Sequence, residues 1–185
     1  MKNIPDTIRR AREQWRNRGD GRPAGAPVPG PGQESVWDYP RPPALRPSER
    51  RVRVEFAGVL VADSSRALKL CETASPPTYY LPPEDVRGDL LVPVRKRTLC
   101  EWKGQARYWS LVVGDRVAEA AVWAYPDAWG GFEPVAGWYA FMPGSMDACY
   151  VGEDRVTAQA GSFYGGWITP DIVGPFKGEP DTGHW

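Results

Sequence analysis

The stretch TLCEWKGQARYWSLVVGDRVAEAAVWAY, residues 98–125, decides the fold. Its later part sets β-forming residues on either side of Gly114-Asp115, a turn pair, so Tyr108–Val113 and Val117–Tyr125 are expected to fold back as a hairpin. With a two-residue loop, Tyr108 opposes Ala121, Ala106 opposes Trp123 and Gly104 opposes Tyr125. Tyr108, Trp123 and Tyr125 then share one face, while Trp109, Leu111, Val113, Ala120 and Val122 form the other, a core face. The earlier part reads as the same strand continued upstream, with Glu101, Lys103 and Gly104 inside it. A glycine weakens a strand interior unless a bulge or a closely approaching group requires it, and a bulge at Gly104 would turn Lys103 toward the aromatic face.

Period-two patterning extends outward from that hairpin. RVRVEFAGVLVADS, residues 51–64, reads as a second hairpin around Ala57-Gly58. ALKLCET, residues 67–73, is a strand with Leu68, Leu70 and Glu72 on one face, so a carboxylate ends an apolar row. Prolines at 76, 77, 82 and 83 bracket a very short edge strand at Thr78–Leu81, and Pro83 starts a helical turn bearing Glu84 and Asp85. Downstream, a loop over 126–138 holds at most one helical turn near Glu133–Gly137. Short strands follow in YAFMPG and DACYVGEDRVTAQ, with a turn at Gly152–Asp154. Helical periodicity over twelve residues appears nowhere after residue 18, which sets the class as mainly β, a small antiparallel domain with one or two short helices.

The ends differ from this middle. Residues 4–18 fit a short basic helix, and GDGRPAGAPVPGPGQ, residues 19–33, has neither periodicity nor enough apolar surface to fold alone. ESVWDYPRPPALRPSE, residues 34–49, reads as an extended segment whose Trp37 and Tyr39 dock on the domain itself; the alternative is a proline-rich ligand for another protein. The expected division is therefore a helix and Pro/Gly-rich arm over 1–48, a β domain over 49–159, and a glycine- and aromatic-rich tail over 160–185 that wraps the domain.

Composition narrows the partners. Lys plus Arg number 23 and Asp plus Glu number 23, so no global basic field exists to draw in nucleic acid. No apolar run approaches the roughly 20 residues needed to cross a bilayer, and residues 1–10 lack a secretory apolar segment, so the expectation is a cytoplasmic protein with no membrane partner. Cys71, Cys100 and Cys149 are odd in number and far apart, which suits reduced thiols serving as small buried hydrophobes. No C-x-x-C knuckle accompanies them and the single histidine is His184, so no metal is expected and the cofactor is open. G-x-S-x-G, GxxxxGK[ST] and H-E-x-x-H are all absent.

Candidate site residues follow from the aromatic face. Tyr80, Tyr108, Trp123 and Tyr125 would supply a ligand wall, with Arg66, Lys103 and Glu72 as polar anchors. Lys103 is the candidate for an anionic or carbonyl group, and Glu72 with Lys103 the candidate catalytic pair: a Glu buried without a cation is a proton donor, whereas a cation nearby keeps it ionised. Each has a plainer account. Glu101 and Lys103 form an ordinary solvated pair on an edge, worth well under about 1 kcal/mol, and tryptophans and tyrosines pack β-cores without any ligand.

GQESVWDYPRPP, VLVADSSRALKLCETASPPTYYLPPEDV, CEWKGQARYWS, AVWAYPDA, AGWYAFMPG and GGWITPDIVGPFKGEPDTGHW together closely resemble the bacterial and fungal family known as domain of unknown function 427. The likeness runs from about Gln33 to Trp185, and Tyr-Tyr-x-Pro-Pro-Glu-Asp with Cys-x-x-Lys-Gly are its specific motifs. The resemblance implies a small, antiparallel two-sheet domain similar to the β-tent group, some of whose members hold small cyclic molecules in an aromatic cage. It also brings a nucleotidyltransferase label. Polymerase-β-type enzymes need Gly-Ser followed at about ten residues by Asp-x-Asp to hold magnesium, and Gly144-Ser145 has no such sequel. Three readings result: a small-molecule-binding domain, an acid–base enzyme, or an interaction module whose arm docks a partner or a twin subunit in a homodimer.

Overall fold

Gly114 and Asp115 make the two-residue turn, with Val113 opposite Arg116 and Gly104–Val113 antiparallel to Arg116–Ala124. The expected register holds from the turn to Leu111 opposite Ala118 and then changes: Trp109 faces Val122 and Tyr108 faces Trp123, not Ala121. In between, Ser110 stands against the residues 119–121. Ala120 adopts a left-handed φ of 47° there, and its N–H donates to Ser110 Oγ at 3.0 Å. The slip is two residues, an even number, so faces are preserved and Tyr108 and Trp123 remain on the same side of the sheet.

A second correction lies upstream. Residues 98–113 are not one strand: Leu91–Cys100 and Gly104–Val113 form a hairpin, Cys100 opposite Gly104, and the residues 101–103 are its turn. Gly104 has a φ of 97°, and a Cβ on it would lie 2.9 Å from Trp129 Nε1. The group that requires the missing side chain is thus the indole of Trp129, a residue whose backbone N–H donates to the Lys103 carbonyl at 3.1 Å, rather than Tyr125.

The computed structural model describes residues 4–14, 21–161, 163–179 and 182, and the chain is mainly β throughout them. One four-stranded sheet runs Ala140–Phe141, Arg116–Ala124, Gly104–Val113, Leu91–Cys100; a second runs Asp154–Arg155, Ala148–Val151, Val52–Phe56, Val59–Ser64. Ala57 and Gly58, both at positive φ, close the latter's hairpin as the sequence indicates. A three-stranded sheet orders Ala44–Pro47, Leu68–Glu72 and Ser75–Tyr80, the proline-bearing strand on an edge where missing N–H donors cost least. The arm's last strand, Ala44–Pro47, is therefore an integral part of a sheet.

The first core lies between the two large sheets, with Val52, Val54, Phe56 and Val61 meeting Leu111, Val122 and Phe141. The tail closes it: Trp167, fully buried, packs at a tilt against Tyr79 with ring centres 5.2 Å apart and donates its indole N–H to the Phe141 carbonyl at 3.1 Å. Trp37 and Tyr39 dock in cis, forming another cluster with Val36, Cys71 and Ile172 while Glu34–Ser35 pairs in parallel with Ile172–Val173. At the N-terminus the helix spans Asp6–Gln14; residues 15–18 of the expected helix and His184 lie outside the described residues.

Candidate functional site

The remaining core cluster is incomplete on one side. Tyr80, Ala106, Trp123, Tyr125, Phe132 and Val135 pack together beneath a cavity of about 270 Å³. Three walls bound it. The sheet contributes Tyr108, Trp123 and Tyr125; the hairpin of the three-stranded sheet contributes Leu70, Glu72, Thr78 and Tyr80; and the end of the Leu91–Cys100 strand with the turn after it contributes Cys100, Trp102 and Lys103. The tail supplies a lid in Gln159, Tyr164 and Gly165. A Cβ on Gly165 would run into the Trp123 ring, so only glycine lets the backbone lie flat on that indole. Gln159 pins this segment, accepting from the Gly166 N–H at 3.1 Å and donating to the Lys177 carbonyl at 2.6 Å.

Of the residues the sequence singled out, Glu72, Tyr80, Lys103, Tyr108, Trp123 and Tyr125 all line this one cavity. Arg66 does not. Its guanidinium pairs with Asp85 at 2.6 Å, on the Pro83–Asp85 turn that also carries Glu84. The sequence reading missed Arg41, Cys100, Trp102, Gln159 and Lys177, which line the cavity from four separate segments. For Cys100 a signal existed, the Cys-x-x-Lys-Gly spacing, which the turn converts into proximity.

Lys103 is only 6% exposed, its ammonium 5.4 Å from the centre of the Tyr125 ring and 5.9 Å from that of Phe132. Among the described residues no carboxylate comes within ion-pair distance of it. Burial by itself disfavours the ammonium, but the Tyr80, Cys100 and Glu72 groups around it outweigh that and raise its pKa above the ordinary lysine value, so it is charged at neutral pH. The reciprocal holds for the phenols. Burial pushes Tyr80 up to about 12, with Lys103 pulling the other way, and burial likewise raises Tyr125.

Glu72 is taken up by Arg41, Oε1 to Nη2 at 3.1 Å, with both side chains largely buried. Glu72 is thus held by Arg41, while Lys103, buried on the same lining, has no carboxylate within ion-pair distance among the described residues. Lys177, also on the lining, has its pKa lowered by burial and then by Arg41. Behind the turn, Arg12 of the N-terminal helix donates to the Glu101 carbonyl at 2.7 Å and the Trp102 carbonyl at 3.0 Å, its guanidinium over the Trp102 and Trp129 rings. Among the described residues no three His, Cys, Asp or Glu side chains converge as a metal site would require.

A family model described as domain of unknown function (DUF427) matches residues 44–152. The chain belongs to the DUF427 family. The match covers every cavity residue of the sheet, the hairpin and the turn, and leaves outside it Arg41 and the tail lid of this DUF427 protein. No curated protein matches the chain. Among the described residues no helix is long and apolar enough to cross a membrane.

Proposed function

We propose that this DUF427 protein binds a small planar molecule bearing an anionic or carbonyl oxygen, in the reducing environment of the cytoplasm. The observation that carries the reading is a buried lysine ammonium, free of carboxylate partners among the described residues, at the floor of an aromatic cavity. Burying a charge is costly unless something pairs with it. An oxygen acceptor placed beside Lys103 would supply that pairing, and stacking on Trp123 and Tyr108 would supply contact area. A volume of about 270 Å³ is close to the lower end of ligand pockets, which suits a single ring better than a nucleotide. Free thiols at Cys71, Cys100 and Cys149 accord with a reducing compartment.

The test is a thermal-shift and native mass-spectrometry screen of the full chain against aromatic carboxylates and cyclic ketones. The expected result is a stabilised, one-to-one complex whose affinity falls about tenfold or more in Lys103→Met, the size of a lost charge-assisted hydrogen bond. Equal affinity in Lys103→Met and wild type would refute the assignment.

A further inference from the structure

Cys100 ends one strand of the hairpin and Lys103 closes its turn, so three residues of backbone bring a thiol and an ammonium to the same wall. Lys103, Tyr125 and Cys100 line the same cavity, and Cys100 is among the groups that raise the pKa of both the Lys103 ammonium and the Tyr125 phenol. Cys100 is half-buried and opens onto the cavity, whereas Cys71 is 0% and Cys149 2% exposed in the cores. Next to it on that wall, Trp102 is 3% exposed and its indole N–H is buried without a hydrogen-bond partner among the described residues. Buried polar groups are nearly always satisfied, so an indole N–H without a partner on a residue of the cavity lining is an unusual feature of this wall. Of the other charges on the lining, Glu72 pairs with Arg41, while Glu101 and Lys177 are half-buried.

We propose that Cys100 is the nucleophile of this cavity, adding to a small α,β-unsaturated carbonyl compound whose oxygen lies against Lys103. The inference rests on the binding reading above and narrows its ligand class to electrophilic carbonyl compounds. The step balances without any oxidant or reductant. Cys100 Sγ bonds to the β-carbon as the alkene π pair shifts to give an enolate, whose oxygen the Lys103 ammonium stabilises. The thiol proton passes to water as the S–C bond forms, and the enolate α-carbon then takes one proton back from water, so the net change is addition of S–H across the alkene. An ammonium held in a water-poor site is effective at this because the charge it meets appears only as the bond forms.

Cyclohex-2-enone is the probe, with its saturated analogue cyclohexanone as control, applied to the full chain at pH 7 and read by peptide mass mapping over time. The expected adduct is on Cys100, forms at least about tenfold faster than on N-acetylcysteine, and leaves Cys71 and Cys149 untouched. Lys103→Met is expected to slow it about tenfold and Lys103→Arg to recover part of the rate. Should Lys103→Met not fold, Tyr125→Phe and Lys103→Arg are read in its place, and both are expected to form the adduct more slowly than wild type. A rate no faster than free thiol, or unchanged in these variants, overturns the proposal. If cyclohexanone stabilises the protein while the enone leaves Cys100 unmodified, the cavity binds and the nucleophile assignment alone fails; if neither ketone has any effect, the inference fails together with its basis.

Discussion

Trp123 faces Tyr108 across the central hairpin because Ser110, on the strand between them and the turn, stands against three residues where a regular ladder would place one. Ala120 is the residue that absorbs the excess, at a φ an alanine tolerates poorly, and the Ser110 hydroxyl holds its N–H. Ala120→Gly is therefore expected to raise stability by about 0.5–1 kcal/mol, and Ser110→Ala to lower it by about 1–2 kcal/mol through an unsatisfied N–H. Urea unfolding of the two variants checks both signs. Only if the bulge is a real constraint do they move in opposite directions.

Gly104 makes the sharpest steric prediction. An alanine there combines a positive φ with a Cβ at 2.9 Å from the Trp129 indole, and it is expected to cost about 2–4 kcal/mol. Since Trp129 also fixes the Lys103 carbonyl, the damage should reach the cavity. A fall in melting temperature accompanied by changed Trp fluorescence would show it; an unaltered protein would mean the indole has room to move away.

How much of this was legible before the structure depends on where each signal resides. Hairpins at Ala57-Gly58 and Gly114-Asp115 were readable because turn chemistry is local, and the gathering of Tyr108, Trp123 and Tyr125 on one face survived the bulge because an even slip preserves parity. The bulge itself was invisible: a serine and an alanine carry no preference for it. Leu91–Cys100 was missed because it is an outer strand, broken in register between Val94 and Arg97, so Arg95, Lys96 and Arg97 need no alternation. Arg41, Gln159 and Lys177 were beyond reach for another reason. They enter the cavity from segments distant in sequence, and only tertiary folding makes them neighbours.

Alkaline pH should weaken the fold through Cys71. Burial pushes its thiol up to about 11, with Lys69 and Arg46 opposing, against about 8.5 for a thiol in the unfolded chain. The folded state thus favours the protonated thiol. Its contribution is fully present below about pH 8.5 and is lost as pH rises toward about 11, an effect on the order of 3–4 kcal/mol. Burial raises the Cys149 thiol as well, so denaturant titrations at successive pH values should show a slope from both thiols, which Cys71→Ala should reduce over that window while leaving the acid limb alone.

The Arg41–Glu72 pair predicts a different asymmetry. Glu72→Gln takes from the buried Arg41 guanidinium its carboxylate at 3.1 Å and is expected to cost about 1–3 kcal/mol. Arg41→Met combined with Glu72→Leu removes both charges and should cost much less than the sum of the single changes, which a double-mutant cycle measures. Were Glu72 instead an independent acid of the cavity, the two effects would add.

Arg12 links the N-terminal helix to the turn that carries Lys103. The helix Asp6–Gln14 is short, and isolated helices of that length are marginal in water, so its persistence depends on what it docks against. Its described anchor on the turn is a single side chain giving two hydrogen bonds to backbone carbonyls and stacking on two indoles. Arg12→Ala should therefore release the helix before it affects the sheets. Amide hydrogen exchange is expected to speed up over the residues 6–14 and, more weakly, over 101–103, with Gly104–Val113 and Arg116–Ala124 unchanged. Faster exchange in the helix alone would show that the turn holds its shape through Trp129 and Gly104 without help from the arm.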